Sequence, residues 1–174
     1  MRTLLKALAA AVLILALTPT WTAQAATSSS LNGRFTIFWP KSADAPRNAP
    51  CDPGALCGSG SLTAFGPATV TIEDDAFAES DGCLVVERIE RVHLLDGTGD
   101  LVLEVSGPVC FPGRSGDAAD QGSYGNPSRW TLRGRVDGGS STGVFEGASG
   151  AVTDDFSFAG AVGRWRLAGT VSTR

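Results

Sequence analysis

The chain has 174 residues, of which 18% are charged and 7% aromatic, with a formal net charge of −4. An acidic balance argues against nucleic acid or an anionic membrane surface as a primary partner, because both are themselves polyanions. After residue 25 the only lysine is Lys41, and the remaining cations are arginines that lie on no phosphate-binding motif.

Residues 1–25 read as a secretory signal peptide. Arg2 and Lys6 form a positive start, Leu8 to Leu17 is an apolar run, and Ala23-Gln24-Ala25 supplies a small-x-small cleavage pattern. The run is shorter than the ~20 residues a transmembrane helix needs, and no later stretch approaches that length, so no membrane span is expected. Cleavage leaves an exported chain, extracellular or periplasmic, with an N-terminal strand and Pro-rich loop (26–56) and a β-barrel domain (57–174).

Cys51, Cys57, Cys83 and Cys110 are an even set in an exported chain, which favours disulfides over a metal site. Three pairings are possible. Cys51 and Cys57 enclose the turn-forming stretch "DPGAL". For the others, a hairpin centred on Asp96-Gly97 as a type I′ turn makes cross-strand partners sum to 193, which Cys83 and Cys110 satisfy. A bridge closing that loop would contribute roughly 3–4 kcal/mol on the chain-entropy model. Zinc would need paired close spacings such as C-x-x-C, which are absent, so no metal and no cofactor are expected.

Nine short segments then read as strands: 34–38, 59–65, 68–73, 83–95, 100–107, 129–136, 142–148, 151–158 and 164–171. Turn pieces such as "DGTG" and "DGG" divide them, and none shows a sustained helical period. This predicts an all-β fold, a closed antiparallel barrel of about eight strands, with a β-sandwich as the alternative. Segments 39–57 and 110–128 read as loops, the second long enough to be a lid or binding loop.

Alternation assigns the faces. Trp130, Leu132, Gly134 and Val136 point inward, as do Trp165, Leu167, Gly169 and Val171, while the interleaved arginines form the outer face. That outer face reads as solvated, with a polyanion-binding stripe as its functional alternative. The tryptophans read as core, with cavity lining as the alternative. One segment breaks the pattern: in the 193 register Arg88 and Glu90 share a face with Leu84, Val86, Val92 and Leu94. Either this pair lines a polar patch in a cavity, which makes Arg88 and Glu90 ligand-binding candidates along with Trp130 and Trp165, or a bulge near Glu87 and Arg88 turns the charges outward. The bulge is the expectation, since a long barrel strand usually bends.

His93 is the only histidine and falls near a rim, beside the DGTG turn. The clusters Glu73-Asp74-Asp75 and Asp154-Asp155 lack a calcium-loop spacing and read as solvated turns. No catalytic triad or nucleophile elbow stands out, and no catalytic residue is assigned.

The run "STGVFEGASG" (141–150) is too poor in helix behind it to cradle phosphate. It resembles a signature of the allene oxide cyclase-like and dirigent-like β-barrels, with Thr142, Gly143, Phe145, Gly147, Ala148 and Gly150 on the matching positions and Ser141 where those families often carry glycine. The likeness extends loosely over residues 57–174, as in small secreted bacterial proteins of unassigned function. It implies an eight-stranded barrel with a central cavity. Phe145 is then a core residue, and Gly143, Gly147 and Gly150 are bending positions. The expected function is non-catalytic binding of a small hydrophobic ligand or partner. The alternative is a cyclase- or dirigent-like enzyme that confines a reactive intermediate, although no catalytic residue of those families maps onto this chain. The oligomeric state is not legible.

Overall fold

A computed structural model describes residues 27–38, 56–80, 83–110, 129–159 and 162–173. Residues 1–26, Cys51 and most of the two segments read as loops (39–57, 110–128) lie outside the described residues; residues 57 and 110, at the inner ends of those segments, belong to strands.

Eight strands form a closed antiparallel barrel in simple chain order: β1 (Thr27–Phe38), β2 (Cys57–Leu62), β3 (Gly66–Ser80), β4 (Cys83–Leu94), β5 (Asp100–Cys110), β6 (Arg129–Val136), β7 (Ala151–Ala159) and β8 (Val162–Thr173). Strand β1 closes the sheet by pairing along its whole length with β8, from Thr27 opposite Thr173 to Phe38 opposite Val162. Full closure leaves no sheet edge, and eight strands give an interior just wide enough to be filled by side chains or by one small ligand.

The inward faces follow the alternation. On β6, Trp130, Leu132 and Val136 are buried while Thr131, Arg133 and Arg135 are exposed; on β8, Trp165, Leu167 and Val171 are buried while Arg164 and Arg166 are exposed. The β4–β5 ladder keeps the sum of 193 throughout, from Cys83 opposite Cys110 to His93 opposite Asp100. The turn closing it differs from the type I′ expectation. Gly97 takes φ +75° but Asp96 stays out of the left-handed region, and the Gly97 N–H donates to the Leu94 carbonyl at 3.0 Å. A type I′ turn needs positive φ at both central residues.

Two further expectations are corrected. The bulge expected near Glu87 and Arg88 is absent from β4, which runs in unbroken register with β5. The irregularity lies on the neighbouring strand, between Ile72 and Asp74 of β3, so nothing turns Arg88 and Glu90 outward. The stretch 142–148 is not a strand. It belongs to the β6–β7 connection, in which Gly143–Phe145 form a single 3-10 turn.

That connection closes one end of the barrel. Gly143 and Gly147 have φ of +58° and +67°, conformations that glycine adopts without steric cost. The path is pinned by hydrogen bonds from Val144 N to Thr98 O (3.1 Å), Thr142 N to Asp100 O (2.9 Å) and Gly147 N to Gly138 O (2.8 Å). The buried Ser141 hydroxyl accepts from Val102 N at 2.9 Å and donates to Asp137 O at 2.7 Å. Phe145 is thereby driven into the core, 0% exposed, with its ring centroid 4.8 Å from that of Phe65.

The antiparallel order gives the barrel two unlike ends. The short turns at 63–65, 95–99 and 137–150 lie at the end plugged by Phe145. The strand ends leading into residues 39–55 and 111–128, at Phe38, Cys57, Cys110 and Arg129, lie at the other.

Candidate functional site

Inside the barrel, in the middle stretch of their strands, three ionisable side chains sit beside aromatic rings. Arg88 (4% exposed), Glu90 (0%) and Asp154 (0%) are all buried. β4 supplies Arg88 and Glu90, which are two residues apart and therefore on one face. Strand β7 supplies Asp154 by the same alternation, between the inward-facing Val152 and Phe156. Asp154 is the residue that sequence reasoning missed. Its doublet with Asp155 reads as a solvated turn, whereas Asp154 stands opposite Leu132 of β6 and Leu167 of β8, within the sheet.

The Arg88 guanidinium lies 3.9 Å from the Glu90 carboxylate. Its central carbon is 4.9 Å from the centroid of the Phe156 ring and 5.8 Å from that of Trp130, within the range of a cation–π contact. Behind it the rings continue across the interior. Phe156 stacks on Trp165 at 5.7 Å and 14°, and Trp165 packs on Phe35 at 4.7 Å. Trp130 and Trp165, both sequence candidates, are thus in one aromatic wall with Arg88, and Glu90 and Asp154 complete a polar patch in it.

The electrostatics follow from burial. Desolvation holds the Asp154 carboxyl well above the usual carboxylate range; the neighbouring Glu90 carboxyl, through its charge and through contact with Asp154, raises it further, and Arg88 opposes this without reversing it. Among the described residues, neither Asp154 carboxyl oxygen makes a hydrogen bond of ordinary geometry, and neither does the Trp165 indole N–H. These two residues are diagonal neighbours across the β7–β8 ladder, since Asp154 faces Leu167 and Phe156 faces Trp165. That relation sets their Cβ atoms about 7–8 Å apart. A buried carboxyl and an indole N–H therefore offer hydrogen bonds at one apolar surface, a combination suited to a flat ligand carrying a polar group.

The other sequence-marked residues stand apart from this patch. His93 is exposed at the plugged end, its Nδ1 2.6 Å from an Asp100 carboxylate oxygen, and Asp100 also meets Arg91 at 3.5 Å. Arg91 makes a forked contact with Glu73, which raises its pKa above the ordinary arginine value. Glu73 lies in β3 rather than in a turn, and this network is a surface ion cluster. Gly143, Phe145, Gly147 and Gly150 belong to the plug. Cys83 stands opposite Cys110 in the ladder, and neither Cys57 nor Cys83 is a free thiol. Among the described residues no three metal-ligating side chains converge, and no helix is long and apolar enough to cross a membrane. A cleft of about 480 Å³ on the outer wall, between β4, β5 and β6, is open to solvent, and its Arg135 is paired with Glu104 at 2.6 Å.

No family model, curated protein or solved structure matches this chain.

Proposed function

We propose that the protein is a non-catalytic binding module that takes a small, flat, largely apolar ligand with one polar group into the barrel interior. The ligand would rest against Trp130, Phe156 and Trp165 and hydrogen-bond to Asp154 and the Trp165 indole. The observation that carries this reading is a pair of buried polar groups: the Trp165 indole N–H, which makes no hydrogen bond among the described residues, and Asp154, whose carboxyl makes none of ordinary geometry beyond its contact with Glu90. Buried polar groups are ordinarily satisfied, and leaving one unmet costs about 1–3 kcal/mol. A chain retains such groups at less cost where a ligand or solvent meets them.

Export, the bridges Cys51–Cys57 and Cys83–Cys110, and kinship with the allene oxide cyclase-like and dirigent-like barrels belong to the same proposal. The closed eight-stranded barrel and the 141–150 run support the kinship, and the facing positions of Cys83 and Cys110 support the second bridge. A second reading, an enzyme guiding a reactive intermediate, draws on the buried protonated Asp154, which could act as a proton donor.

Titration of the full-length protein with 2-naphthol, benzoate and 1-anilinonaphthalene-8-sulfonate, followed by tryptophan fluorescence and native mass spectrometry, tests the proposal. It expects one-to-one binding of at least one probe, weakened tenfold or more in Asp154→Leu and in Trp165→Phe. Binding that neither substitution changes, or no binding of any probe, would contradict it, and chemical turnover of a bound probe would favour the enzyme.

A further inference from the structure

The outer wall at the β1–β8 seam carries arginines of a different kind. Arg34 on β1 and Arg166 on β8 stand directly opposite each other in the ladder, and Arg164 lies two residues along β8 on the same outward face. All three are exposed, and none has an ion-pair or hydrogen-bond partner for its side chain among the described residues. Like charges directly opposed across a ladder destabilise it; Asp155 of β7, directly opposite Arg166 on its other side, offsets one of the three positive charges and leaves an excess of two. Adjacent strands are about 5 Å apart and alternate residues on a strand about 7 Å apart, so the three arginines spring from neighbouring positions of one outward face and form a triangle on it.

The triangle borders a groove. A cleft of about 400 Å³ is lined by Asn32, Arg34, Ser61, Thr63, Asp155 and Arg166, and a smaller one of about 160 Å³ adjoins it through Asp155 and Arg166, adding Ser157 and Arg164. Asp155 is the described carboxylate in this groove, and it accepts a hydrogen bond from the Thr131 hydroxyl at 2.6 Å. The other groove side chains offer hydroxyls, an amide and guanidinium forks, with no exposed aromatic ring among the described residues that line it. Guanidinium forks match sulfate, phosphate and carboxylate oxygens in pairs. Hydroxyl and amide groups suit sugar hydroxyls. Binding of single-stranded nucleic acid relies on aromatic platforms for its bases, which this wall lacks.

We propose that the groove bounded by Arg34, Arg164 and Arg166 binds an anionic polysaccharide bearing sulfate or uronate groups. This site is on the opposite side of the sheet from the interior patch and stands independently of it.

The test measures binding of the full-length protein to a heparin-derived octasaccharide, to oligo-dT of similar charge and to neutral dextran, each over a salt series. The expected result is octasaccharide binding that weakens steeply with salt, falls at least tenfold in Arg34→Ser/Arg166→Ser, and is partly retained in Arg34→Lys/Arg166→Lys. Oligo-dT should bind at least tenfold more weakly and dextran not at all. Circular dichroism and thermal melting of each variant establish that it is folded. The proposal is overturned if the octasaccharide does not bind at low salt, if the double serine variant binds as well as wild type, or if oligo-dT binds as tightly as the octasaccharide.

Discussion

The plug and the mid-barrel patch solve opposite problems. At the plug every device serves closure: Phe145 is driven between strands by a glycine-bearing 3-10 turn, and Ser141 satisfies a backbone amide and a carbonyl together. In the middle of β4 and β7, charge and hydrogen-bonding groups are buried where apolar side chains would pack more cheaply. A single barrel therefore has one region shaped by stability and another that departs from it. Departures of that sort concentrate at functional sites.

Substitution of Phe145 by alanine should have the largest effect, about 3–5 kcal/mol of stability, because the ring is wholly buried and its site is held open by backbone hydrogen bonds. Denaturant unfolding would measure it, and ligand binding by the folded fraction should survive, since Phe145 packs on Phe65 and supplies no group to the polar patch.

A smaller effect separates the patch from the plug by pH. Asp154 holds its proton more tightly in the folded protein than in the unfolded chain. The folded state thus loses stability as pH rises from the ordinary carboxylate range through the raised folded pKa, by about 1.4 kcal/mol for each unit of the rise. Asp154→Asn should flatten that dependence. Its melting temperature should exceed that of wild type at pH 8 and converge with it below about pH 4. Parallel curves for the two proteins across this range would show that the carboxyl titrates normally.

Much of this architecture was legible beforehand, for identifiable reasons. The faces of β6 and β8 follow from strict period-two alternation, and the β4–β5 register follows from where the hairpin turns, even though the turn's own geometry was mistaken. Arg88 and Glu90 could be placed on an apolar face by sequence, but whether a bulge would expose them depends on β3, where the irregularity sits. Asp154 escaped notice because Asp154-Asp155 looks like a turn, yet Val152, Asp154 and Phe156 alternate in the same way as Val86, Arg88 and Glu90. The run 142–148 imitates a strand because Gly143, Phe145 and Gly147 are spaced by two. Only the positive φ at both glycines makes it a turn. Strand β3 extends through Asp74 and Asp75 because β4 pairs with it there, a tertiary decision that local polarity conceals.

The central claim is that the buried patch serves binding rather than stability. Replacing one member of a buried charged group costs about 3–5 kcal/mol, while replacing the whole group by apolar side chains of similar volume is often neutral or stabilising. The decisive measurement is therefore the unfolding free energy of Arg88→Met/Glu90→Leu/Asp154→Leu beside that of Arg88→Met alone. The prediction is a triple variant as stable as wild type or more so, and a single variant less stable by about 3 kcal/mol or more. A triple variant that loses as much as the single one would contradict the account, and would make the patch part of what holds the barrel together.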